Sequence, residues 1–204
     1  MHTLLDPLRR ALQIAPNATA FVCGDDKVTY AEFGERCQRL AGMLAARGAK
    51  PGDRISILAA NSHRYMEAYV GIPAAGFVIV PLNTRHADPE LDYALRDGGV
   101  RFLLADRDPG KLADSVETVI MMPNEYEAGL ASAEPMELGV GIDENSLAGL
   151  FYTGGTTGAS KGVMLSHRNL VANCQNYMML APPAWHDVHL FIAPLFHAAG
   201  SNNI

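Results

Sequence analysis

"FYTGGTTGASKGVMLSH", residues 151–167, sets four glycines, a Thr-Thr pair and Lys161 within the nine positions from Gly154 to Gly162. Such a loop gains little from packing, because small side chains bury little area and glycine costs backbone entropy on ordering. Its composition suits an anion instead. Glycines let backbone N–H groups approach a phosphate closely, threonine hydroxyls add donors, and a lysine supplies a point charge. The common nucleotide P-loop needs Gly-Lys followed by Ser or Thr. Here Ser160 precedes Lys161 and Gly162 follows it, so the lysine lies outside that register. The flanking stretches "SLAGLFYT" and "GVML" read as strands, and the loop therefore joins two strands. Ser166 then caps a helix bearing Leu170, Val171, Cys174, Tyr177 and Met178.

Upstream of this loop, strand and helix signals alternate. "TAFVC" and "KVTY" flank the turn "GDD" as a small hairpin. Thr29 with Glu32 makes a capping box, and Phe33, Cys37, Leu40 and Leu44 follow at helical spacing, with Gly48 ending the helix. "RISILAA" reads as a strand, Asn61 or Ser62 caps a second helix, and "FVIVPL" is apolar on both faces, as a buried strand is. Asp88-Pro89 opens a third helix with Leu91, Ala94 and Leu95 on one side. "VRFLLA" and "SVETVIMM" read as further strands, and residues 123–145, acidic with Pro123 and Pro135, as a surface connection. The pattern predicts an α/β fold with a parallel sheet flanked by helices on both faces. A glycine-rich loop after a strand of such a sheet lies where these folds bind ligands.

Composition bounds the partners. Of 204 residues 49% are hydrophobic and 19% charged, enough for one good core. Sixteen Lys+Arg against 22 Asp+Glu leave a net charge of −6, which argues against nucleic acid and against an anionic membrane surface. The longest apolar run, Val70 to Leu82, carries Pro73 and Pro81 and is too short for a membrane span. The N-terminal leucines Leu4, Leu5, Leu8 and Leu12 have the spacing of one face of a short helix rather than of a signal peptide. Cys23, Cys37 and Cys174 are odd in number, far apart and set in apolar surroundings, which reads as reduced core residues of a cytoplasmic protein.

"YTGGTTGASKGVMLSHRNL" resembles the phosphate-binding signature of the adenylate-forming (AMP-binding) superfamily, which includes acyl-CoA synthetases. Two other stretches are similar to the same family: "TYAEFGERCQRLAGMLAARGAKPGDRISILAANSHRYMEAYVGIPAAGFVIVPLNTR", and "APLFHAAG", which members place beside the acyl pocket. Ser160 departs from the proline that many members carry before the lysine. The resemblance implies a ligase that joins a carboxylate to ATP as an acyl-adenylate and then transfers it to the thiol of CoA. It implies that Thr153, Gly154, Gly155, Thr156, Thr157, Gly158 and Lys161 cradle the β- and γ-phosphates, with Thr156, or in its place Thr157, also touching Mg²⁺. Their work would be charge stabilisation and positioning.

The same resemblance bears on the substrate. Amino-acid-activating relatives place an aspartate after the phenylalanine of the acyl segment, whereas here Phe196 is followed by His197, which implies a fatty or other simple carboxylic acid. His197 would help orient the carboxylate. Members continue well past position 204, to groups that hold Mg²⁺, the ribose and a catalytic lysine. Residues 1–204 are accordingly expected to be the N-terminal portion of the AMP-binding domain, inactive alone and self-associating; the alternative is a non-catalytic binding module of the same fold. Among other candidates, His186, Asp187 and His189 look like a metal cluster, but on a strand 186 and 189 point to opposite faces, as at a solvated strand entrance. His167 and Arg168 either stay near the phosphates or only decorate the first turn of their helix.

Overall fold

The structure is a computed structural model that describes residues 3–154, 160–184 and 187–197. Helix α1 (Leu5–Ile14) buries Leu5 and Leu8, and an antiparallel hairpin follows, β1 (Thr19–Cys23) with β2 (Asp26–Thr29). Thr29 accepts from the backbone N–H of Glu32 while the Glu32 carboxylate takes the Thr29 N–H, so the capping box starts α2 (Tyr30–Ala46). Gly48 takes φ +90°, the left-handed conformation that ends the helix cheaply. The chain then winds through β3 (Arg54–Leu58), α3 (His63–Ala74), β4 (Val78–Pro81), α4 (Asp88–Asp97), β5 (Val100–Ala105), a 3₁₀ turn (Gly110–Ser115) and β6 (Thr118–Met121). It continues through α5 (Asn124–Ser132), β7 (Leu147–Thr153), β8 (Lys161–Ser166) and α6 (His167–Leu180).

Six strands form one sheet in the order β6-β5-β3-β4-β7-β8, parallel except for β8. Strand residues alternate between two cores, as a period of two demands. Ile55, Ile57, Ile79, Phe102, Leu104 and Ile120 face the side covered by α1, α2, α3 and α5. Leu58, Val80, Leu103 and Ala105 face the other side, with Leu91, Ala94 and Leu95 of α4. Burial on both faces explains why β3, β4 and β5 read as continuous apolar runs. Tyr65, Met66 and Tyr69 of α3 are buried packing residues.

Three expectations are corrected. Residues 123–145 are more than a surface connection: they include α5, which buries Tyr126 and Leu130. The tyrosine hydroxyl donates 2.8 Å to Glu67, a fully buried carboxylate that also pairs with Arg36. This buried ion pair gives α5 a polar reason to dock, beyond its modest apolar face. "SVETVIMM" does not form one strand, since Ser115 ends the 3₁₀ turn and β6 begins at Thr118. Asp187 and His189 are exposed and lie in no strand; His186 lies outside the described residues.

Candidate functional site

β7 and β8 form an antiparallel ladder whose last register pair is Thr153 with Lys161. The glycine-rich loop thus spans the mouth of a hairpin, as the two-strand reading of the sequence requires. Because β7 runs parallel to β4, this mouth opens at the C-terminal end of the parallel strands, where open α/β sheets bind ligands. Thr153, Gly154 and Lys161 are all exposed there, Lys161 as the first residue of β8. Gly155, Thr156, Thr157 and Gly158 lie outside the described residues. What the structure brings together is the neck of the loop: Thr153 and Lys161 opposed across two adjacent strands, with Gly154 following Thr153.

The neck is braced from below. Tyr152 donates 2.6 Å to Asp97 at the end of α4 and meets Tyr93 edge-on at 6.4 Å. Burial and the neighbouring Asp97 carboxylate raise the pKa of the Tyr152 hydroxyl, so it remains a donor. Gly162 opposes Tyr152 in the ladder, and a Cβ there would meet Leu150 Cδ1 at 2.8 Å and the Tyr152 ring at 3.2 Å. A side chain after the lysine would therefore have to move the tip of Leu150 and press on the Tyr152 ring.

His197 stands on the segment 187–197, which has neither helix nor strand. Leu195 buries itself in the main core, and Asn61, just beyond β3, hydrogen-bonds the backbone at Phe191, Ala193 and Leu195. The segment consequently lies at the same end of the sheet as the loop. A cavity of about 200 Å³ there is lined by Ala59, Asn61, Thr84, Arg85, Pro194 and Phe196. A larger cleft of about 480 Å³ lies among Asp26, Lys27, Arg36, His63, Arg64 and Glu127, but its arginines are taken up by carboxylates. Arg36 is bound by both Glu67 and Glu127, which raise its pKa against the effect of burial.

His167 does not stay near the loop. The ladder pairs Leu147 with Ser166, so β8 carries the chain away from the loop over six residues, about 20 Å. His167 is fully buried there, and its Nδ1 accepts from the backbone N–H of Leu4. Arg168 is exposed and pairs with Glu144 at 3.8 Å. The clamp made by Asn61 went unread in the sequence. Its position beside Ser62, the actual cap of α3, made it look like a competing helix cap.

The AMP-binding enzyme family matches residues 8–204. A feruloyl-CoA synthase from Amycolatopsis sp is 41% identical over 195 residues, covering 95% of this chain and 39% of that protein. Among solved structures, the inhibitor-bound N-terminal domain of FACL13 from Mycobacterium tuberculosis superposes with a TM-score of 0.92 at 27% identity, covering all of this chain and 54% of that one. ATP-bound MatB from Rhodopseudomonas palustris gives 0.87 at 31% identity, covering 99% of this chain and 42% of that one. The chain spans about two fifths of the length of the feruloyl-CoA synthase and of a long-chain-fatty-acid–CoA ligase from Mycobacterium tuberculosis. Fold and family match agree, and the chain belongs to the AMP-binding enzyme family.

Proposed function

We propose that this chain is the N-terminal, phosphate- and acid-binding portion of an AMP-forming acid–thiol ligase. A carboxylate attacks the α-phosphate of ATP, pyrophosphate leaves, and the thiol of CoA then displaces AMP to give the thioester. The observation that carries this reading is the hairpin mouth, with Thr153 and Lys161 opposed and exposed at the ligand-binding end of the sheet. In this role Lys161 and the donors from Thr153 to Gly158 hold the β- and γ-phosphates and follow the departing pyrophosphate.

Mg²⁺ bound to the nucleotide would neutralise part of the triphosphate charge. Among the described residues no cluster of three His, Cys, Asp or Glu side chains is placed for a metal. The chain's own contribution would be a single hard oxygen, the hydroxyl of Thr156, with phosphate oxygens supplying the rest. The exposed Thr153 hydroxyl and Lys161 ammonium beside it suit an oxygen-rich, anionic ligand of that kind.

The proposed acid is a simple carboxylic acid. His197 cannot form the ion pair that an α-ammonium needs, and the relative acting on ferulate adds aromatic acids to the fatty acids. The proposal extends to a cytoplasmic protein that self-associates, with the β8 edge, where Met164 is 70% exposed, as the contact surface. On this reading the 204 residues by themselves make no thioester. ATP–pyrophosphate exchange by the complete protein tests the proposal, with ferulate, a long-chain fatty acid and α-amino acids as substrates. Exchange that depends on ferulate or the fatty acid supports it. An α-amino acid as best substrate refutes the acid assignment, and no acid-dependent exchange at all points to the binding module.

A further inference from the structure

The carboxamide of Asn61 makes three hydrogen bonds to one stretch of backbone more than 125 residues later in the chain. Nδ2 donates to the carbonyls of Phe191 at 3.3 Å and Ala193 at 2.9 Å, and Oδ1 accepts from the N–H of Leu195 at 2.8 Å. Residues 187–197 have no ladder or helix of their own to fix their backbone. A carboxamide suits this task because one planar head both donates and accepts, reproducing the pairing that a strand neighbour would offer. The clamp itself is firmly mounted. Asn61 stands three residues beyond the end of β3, and the next residue, Ser62, caps α3 by accepting from the Tyr65 N–H.

The held backbone leads directly to the acyl segment. Leu195 is 2% exposed and anchors one point, while Phe196 is only partly buried. The N–H of His197 turns back onto the carbonyl of Pro194 at 3.1 Å, so its place is set by the residues that Asn61 grips. One buried leucine fixes a point, and three further hydrogen bonds fix an orientation. We propose that Asn61 is a positioning residue of the acyl site, holding Phe191–Leu195 so that the Phe196–His197 pair faces the acid. The functional half of this assignment rests on the ligase reading above.

The test uses the complete protein as wild type, Asn61→Ala and Asn61→Asp, with hydrogen exchange followed by mass spectrometry beside pyrophosphate-exchange kinetics. In Asn61→Ala, exchange of residues 187–197 should quicken by about tenfold or more while α3 keeps its protection. Its kcat/KM for the acid should fall about tenfold or more, since a misplaced orienting group costs alignment, while KM for ATP moves less than about twofold. Asn61→Asp keeps the acceptor for Leu195 and loses both donors, and should fall between. Unchanged exchange at 187–197 overturns the anchoring. Loosening without any change in acid kinetics overturns the positioning role. A wild-type protein lacking acid-dependent exchange overturns the ligase reading, and the positioning role with it.

Discussion

The backbone N–H of Leu4 donates a 3.2 Å hydrogen bond to Nδ1 of His167, joining the two residues across 163 positions of sequence. To accept, Nδ1 must be unprotonated, so the imidazole is neutral with its proton on Nε2. Burial lowers the pKa of His167 against the weaker pull of Asp6 and Asp143. His63 is lowered as well, chiefly by burial, with Arg64 and Arg36 adding to the effect and Glu67 and Asp26 opposing it.

Stability should therefore fall as the medium is acidified from neutrality. Both histidines bind protons more readily in the unfolded chain, so their contribution is present above the unfolded value, about 6.5, and is lost as pH falls through the lower folded value. Glu127 is held below the usual carboxylate range by Arg36 and Arg64 against burial, so its loss comes at more acid pH. Urea unfolding of the wild type and of His167→Gln between pH 7.5 and 5 checks this. The variant, which keeps an acceptor but does not titrate, should show the shallower decline.

Lys161→Ala and Thr156→Val should each slow acyl-adenylate formation by about 10²–10³, the loss of one charge-assisted or Lewis-type contact in the transition state. Lys161 is exposed, so its loss should change unfolding free energy by less than about 0.5 kcal/mol. Pyrophosphate exchange measures the rate and denaturant unfolding the stability. Wild-type exchange in both variants would remove the loop from the mechanism.

Glu67→Leu should cost about 3 kcal/mol. It strips Arg36 of its buried partner and leaves the Tyr126 hydroxyl without an acceptor, although Glu127 still holds the guanidinium. Arg36→Met combined with Glu67→Leu should recover part of that loss, because the guanidinium that lost its buried partner is then gone as well. A double-mutant cycle in urea reads the coupling directly.

Gly42→Ala should destabilise the fold by about 1–3 kcal/mol, since a Cβ there would overlap the backbone carbonyl of Glu134. The segment leaving α5 crosses α2 at this glycine, and the N–H of Met136 donates to the carbonyl of Gln38 alongside. A shift in the thermal midpoint, with faster hydrogen exchange confined to residues 133–139, is the expected outcome.

The sequence made legible whatever is encoded locally. The capping box at Thr29, the continuous apolar strands and the glycine-rich turn each act through neighbours a few residues away, so the parallel sheet and the hairpin neck could be read directly. What escaped depends on distant partners. α5 has too little apolar periodicity to declare itself, and its docking rests on Tyr126 meeting Glu67, 59 residues earlier. Asn61 resembles a helix cap until residues 191–195 arrive beside it. His167 read equally as a residue near the loop or as decoration on the first turn of its helix, and only the ladder register and the distant Leu4 N–H show it buried at the start of α6, away from the loop.

The strand order also orders assembly during synthesis. β3, β4, β5 and β6 lie side by side and are complete by Met121, joined by short crossovers that a growing chain can close early. β7 reaches the exposed edge of β4 only after a further 25 residues have been made, and its pairing there is a single register position, Ile79 with Gly149. A nascent chain halted between these points presents the bare flank of an apolar parallel sheet. The β7–β8 hairpin is thus also the piece that closes that flank, and translation that proceeds promptly through residues 147–166 shortens the interval in which another chain could pair there.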